Sequence, residues 1–128
     1  IVAIITVTAR ETILDVQDAN ADVIDHRATI ATIMGSKIGV ILALVLSVSA
    51  VAMLVAYIAL GVSISASPLH MVTIGMATIV SGLSLRHLLT MVIGTKREPT
   101  LIRAYIGNTR VAMMLMPLVM MANLLATR

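Results

Sequence analysis

Cysteine, tryptophan and phenylalanine are absent from this chain, and only two tyrosines stand among its 128 residues. Without cysteine there is no disulfide scaffold and no thiolate-rich zinc module. Charge is scarce too. Asp, Glu, Lys and Arg make up 12% of the residues, against roughly 25% in a soluble domain. Residues 38–85 contain none of the four. No Gly-rich phosphate loop, Ser/His/Asp arrangement or zinc-ligand spacing occurs. The net charge is +3, but the nine basic residues are scattered between apolar runs. That is no nucleic-acid patch. It is how loops and span ends look under the positive-inside rule.

Apolar side chains fill the chain instead, at 59% of residues. So small a globule has too high a ratio of surface to core to hide them. The expected fold is all-α, a multi-span transmembrane helical bundle of about three and a half spans in a single domain. Some 20 residues cross a hydrocarbon core, so residues 38–85 are too many for one span. The segment GVSISASPLH, with Gly61, three serines and Pro68, divides them. Transmembrane helices are expected at 38–60, 69–93 and 101–126, the last with a kink at Pro117. A soluble bundle would need a polar face on each helix. Within 38–60 only Ser47, Ser49 and Tyr57 carry a polar group.

Residues 1–9 are apolar and are followed by Arg10. They make about 13 Å of helix, roughly half a bilayer core. Residue 1 therefore reads as a cut through a transmembrane helix, and the chain as a C-terminal fragment. On this reading 1–18 is the end of a truncated span and 19–37 a cytoplasmic loop. Arg10, Arg27 and Lys37 lie at the first loop, and Lys96 and Arg97 at the third, with Arg86 and Arg103 nearby. The charged loops are thus expected inside, the serine-rich turn outside, and the C-terminus on the side opposite the acidic residues. Tyr57 and Tyr105 fall near span ends, as interface anchors do. The ten methionines, five of them between 113 and 121, read as adaptable packing. Arg86, Arg103 and Arg110 read as snorkelling side chains.

Five of the six acidic residues are Glu11, Asp15, Asp18, Asp22 and Asp25. Steps of three and four stay on one side of a helix, so the first four form a stripe if the helix runs that far. Like charges so spaced repel, and they stand where a helix leaves the bilayer. A solvated helix exit is one reading. The other is a site for a hard divalent cation such as Mg²⁺, which takes oxygen ligands and is often held by one or two carboxylates plus substrate phosphates.

The stretch RETILDVQDANADVIDHRATIATIMGSK, residues 10–37, resembles the second aspartate-rich motif of the UbiA superfamily of intramembrane prenyltransferases. Arg10-Glu11, Asp15, Asp18 and Asp22 match its R-E-x-x-x-D-x-x-D-x-x-x-D pattern. Thr29, Ile30, Gly35 and Lys37 follow its T-L-P-x-x-L-G continuation, with Ile30 in place of Leu. Ala21, Val23, His26 and Ala31 depart from it, at positions where the family often has Gly, a basic residue, Gly and Pro. Asp25 is additional. The spans beyond are similar to the last three of a nine-helix bundle.

The resemblance implies a partial UbiA-like fold in which Asp15, Asp18 and Asp22 are catalytic and metal-binding. They would hold Mg²⁺ against the diphosphate of a polyprenyl donor. Arg10 and Lys37 would meet diphosphate charge, with Glu11 orienting one of them. An aromatic or lipid acceptor in an apolar chamber would then attack the carbocation-like carbon. The spacing resembles the branches acting on geranylgeranylglyceryl phosphate, homogentisate or chlorophyllide more than the 4-hydroxybenzoate branch. The family's first motif, N-x-x-x-D-x-x-x-D, does not occur here, so the implied partner is the missing N-terminal half of the same domain. Membrane lipid is the other partner expected; nucleic acid is not. Two further readings stand beside this one. One is a small oligomeric transporter or channel subunit with an acidic cation site. The other is a degenerate, non-catalytic relative.

Overall fold

A computed structural model describes residues 1–61, 68–94 and 99–126, and over these the chain is all-helical. The elements are α1 (Val2–Ile24), α2 (Ile30–Ile33), α3 (Ser36–Gly61), α4 (Pro68–Ile93) and α5 (Pro99–Ala126). The three long apolar helices lie within two residues of the expected spans. The serine-rich turn between α3 and α4, apart from its ends, falls outside the described residues, as do Lys96 and Arg97. α5 passes through Pro117 as one continuous helix.

The expected loop 19–37 is largely helical. α1 runs on to Ile24, α2 occupies the middle, and α3 already begins at Ser36. The helix ends where the backbone turns left-handed at His26, with φ of 55°. There the Arg27 N–H donates to the Asp22 carbonyl at 2.8 Å and the His26 N–H to the Val23 carbonyl at 3.4 Å. This is a Schellman closure, which satisfies carbonyls that a helix end otherwise leaves open. α2 is capped by Thr29, whose hydroxyl accepts from the Thr32 N–H at 3.3 Å, while the Thr29 N–H donates to the Thr32 hydroxyl at 2.8 Å. Gly35, at φ 89°, makes the second left-handed turn and launches α3.

The four long helices form a ring. α1 packs on α3, α3 on α4, α4 on α5, and α5 closes back onto α1. Val40, Ala43, Ser47, Ala50 and Leu54 face inward from α3, and Ile102, Tyr105, Thr109 and Ala112 from α5. A polar contact spans the ring: the Ser47 and Tyr105 hydroxyls pair at 3.0 Å in the buried centre. Tyr105 is therefore a core residue and not the interface anchor its sequence position suggested. It stands on the inward stripe of α5, and the hydroxyl partner offsets the cost of burying a phenol. Tyr57 is exposed.

The outward faces are as apolar as the inward ones. Ile41, Val45, Val48 and Val55 on α3, and Val72, Met76, Ile79 and Leu83 on α4, all point away from the bundle. Helices apolar on every side belong in a large core or a bilayer. Two stretches, Ser36–Leu60 and Ile74–Ile93, are long and apolar enough to cross a membrane, with 28% and 22% of their most apolar windows buried inside the bundle. The core helix of a soluble protein would be mostly buried.

α1 meets α3 at Gly39. A Cβ built there would stand 2.6 Å from Cγ2 of Val16, itself buried and stiff about χ1. Gly39→Ala is therefore expected to destabilise the bundle by about 1–3 kcal/mol. Thermal unfolding in detergent, followed by circular dichroism, measures it. Adding Val16→Ala should recover part of the loss caused by the clash, and an undiminished loss would show that the contact is not tight.

Candidate functional site

Because α1 is unbroken from Val2 to Ile24, Glu11, Asp15, Asp18 and Asp22 lie along one side of it. The packed side of the same helix carries Ala9, Thr12, Ile13, Val16 and Ala19. The two stripes meet at Asp22, which is 7% exposed. Asp15 is half-buried, and Glu11 and Asp18 are exposed. Glu11 and Asp18 thus lie on the outside of the ring, with Asp15 at its edge and Asp22 buried. Asp25, the C-cap of α1, is exposed and sits 3.9 Å from the Arg27 guanidinium.

Asp15 lies outside the two stretches apolar enough to cross a membrane. Its pKa is raised, first by burial and then by the negative charges of Asp22, Glu11 and Asp18. The backbone compounds this. Carbonyl dipoles make the C-terminal end of a helix negative, and cations are favoured there. α1 has no basic residue in its last turn, but Asp22 and Asp25 stand at that end. Both the row of charges and the dipole call for a cation.

Among the described residues no three carboxylates or imidazoles converge on a point that would hold an ion. The stripe is therefore not a closed metal cage. Its all-oxygen donor set does suit Mg²⁺, which demands few protein ligands when phosphate oxygens complete its shell. A metal here would be a shared ion, with the stripe supplying one side of its shell.

The two basic residues expected at the site differ. The Arg10 guanidinium is mostly buried and its Nη1 donates to Oε1 of Glu11, while its Nε is buried with no hydrogen-bond partner among the described residues. Lys37 is exposed in the first turn of α3 and makes no ion pair among the described residues. Thr29 and Gly35 serve the loop, as cap and left-handed turn. His26, weighed from sequence as a contact near Asp22, has a backbone role at the end of α1.

Two of the hollows on the described residues bear on the site. One, of about 510 Å³, runs along the outer side of α4 past Gly82, Arg86 and Leu89. The other, of about 300 Å³, lies between α1 and α5. Neither is lined by an acidic residue. The second brings Gln17, Asn20 and Arg103 together, a grouping the sequence reading missed. Its signal was the i, i+3 pair of amides flanking Asp18. Comparison with known proteins finds no matching family model, no matching curated protein and no matching solved structure.

Two expectations follow from the geometry. A non-glycine residue in the left-handed region costs roughly 1–2 kcal/mol, so His26→Gly should raise stability by about 1 kcal/mol. Chemical denaturation in detergent measures this, and an unchanged midpoint would remove the strain. Asp15→Asn removes a carboxylate whose charged form the fold disfavours. A raised pKa makes the penalty absent below the ordinary aspartate range, about pH 4, and fully present above the folded pKa. The variant should melt about 2 °C above the wild type at pH 7 without divalent cation. The gain should vanish as pH falls to about 4; a gain that persists there would have another cause.

Proposed function

We propose that this chain is the C-terminal part of a UbiA-type integral membrane prenyltransferase, which moves a polyprenyl group from its diphosphate to an aromatic or lipid acceptor. One observation carries the reading: Glu11, Asp15, Asp18 and Asp22 share one side of an unbroken helix, in the register of the family's second aspartate motif. The acids fill the loop-ward half of α1. This favours a clamp at the membrane surface over a transport path, which wants carboxylates near the midplane. α3, α4 and α5 are the last three spans, with the acidic end of α1 at the cytoplasmic face and the C-terminus opposite.

Asp15, Asp18 and Asp22 would supply the metal side of the donor site, with diphosphate oxygens completing the shell. The chemistry Mg²⁺ would supply there is neutralisation of the leaving diphosphate, which favours ionisation of the allylic C–O bond. Glu11 orients Arg10 through the ion pair between them, and Arg10 presents its remaining donors to phosphate oxygens. Lys37, free of any acid among the described residues, adds a mobile positive charge. Apolar helix faces keep water from the allylic cation until the acceptor attacks. Glu11 and Asp18 open outward from the ring, so the proposed chamber would need further helices of the same domain to close it. Half a clamp does not catalyse.

The full-length protein in detergent is expected to bind a polyprenyl diphosphate only with Mg²⁺. Asp18→Ala should abolish that binding, as read by titration calorimetry. Binding that survives the substitution would take the stripe out of the site. The 128-residue chain alone is expected to show no prenyl transfer.

A further inference from the structure

The cavity between α1 and α5 has a floor of Val16, Ala19 and Ile102, all buried, and a rim of Gln17, Asn20 and Arg103, all exposed. None of the three rim side chains has a hydrogen bond or ion pair among the described residues. No carboxylate lines the hollow. At about 100° per residue, Gln17 and Asn20 stand roughly opposite Asp15 and Asp18 around α1. A helix width of about 10 Å therefore separates this hollow from the acidic stripe. That is close to one Debye length at cellular salt.

We propose that this seam binds a phosphate-bearing anion. Arg103 supplies a planar fork of donors that matches two phosphate oxygens. The side-chain amides of Gln17 and Asn20 each add N–H donors from the facing helix. The apolar floor receives the carbon attached to the phosphate. A volume of about 300 Å³ admits a compact head group and excludes an acyl chain. Such a group has two sources: the head group of an anionic phospholipid at the membrane surface, and free inorganic phosphate. The inference rests on this cavity and holds whether or not the acidic stripe binds a prenyl donor.

The test uses the purified chain in detergent, with phosphatidic acid, phosphatidylcholine and inorganic phosphate as probes. Native mass spectrometry counts retained lipid, and thermal unfolding reports stabilisation. Phosphatidic acid should bind and stabilise where phosphatidylcholine does not. Arg103→Gln should weaken phosphatidic acid by about tenfold. Arg103→Lys should recover part of the loss, since it keeps the charge and loses the fork. Arg110→Gln, at an exposed position of α5 outside the cavity, should change nothing. Inorganic phosphate that displaces the lipid with comparable stabilisation would assign the same pocket to the soluble anion. Equal binding of the two lipids, or full binding by Arg103→Gln, overturns the proposal. Should that variant fail to fold, Asn20→Leu decides: a loss of phosphatidic acid binding supports the site, and unchanged binding removes it.

Discussion

The packing of Val16 into the space above Gly39 sets the position of α1, and the rest of the arrangement follows. With one side of α1 pressed on α3 and the adjoining side on α5, the ring closes. Glu11 and Asp18 are then left facing away from it, and Asp22 is buried. A larger residue at position 39 would separate the helices and change the facing of all four acids together. The Ser47–Tyr105 pair sets the opposite diagonal. This buried polar contact favours one alignment of α3 against α5, because any slip leaves two buried hydroxyls unpaired.

Stability and chemistry pull against each other in α1. The helix would be more stable with basic residues in its last turn. It carries Asp22 and Asp25 there instead, and burial, followed by the neighbouring carboxylates, raises the pKa of Asp15. A fold selected for stability alone would not retain this, and local conflict of that kind is expected where a chain binds something. The loop after α1 shows the same tension on a smaller scale. His26 holds a left-handed conformation that glycine would adopt without strain.

Much of the architecture was legible because hydropathy alone encodes it. Runs without charge, broken at Gly61 and Pro68, fix where α3 and α4 lie to within two residues. The i, i+3, i+4 spacing of Glu11 to Asp22 similarly fixes their common side once the helix is continuous. The loop was less legible, since the end of α1 depends on backbone hydrogen bonds closing around His26 and not on a composition change. Tyr105 was misjudged for a related reason. Distance along a span says nothing about which side of the helix a residue occupies, and its hydroxyl partner lies 58 residues away in sequence. The burial of Asp22 and the grouping of Gln17 and Asn20 with Arg103 also arise between elements. The proposed cation and substrate rest on the resemblance of residues 10–37 and on the shared side of the acids, not on a grouping between elements.

The aromatic poverty of the chain gives its two phenols separate optical duties. Tyr105 is sealed at the centre and Tyr57 looks outward from α3, and no indole is present to mask either. Ultraviolet emission from this protein is therefore the sum of one shielded and one accessible fluorophore. A quencher dissolved in the surrounding phase reaches Tyr57 alone while the ring is closed. Opening of the ring would appear as the second fluorophore becoming quenchable, an intrinsic gauge of helix separation that requires no label.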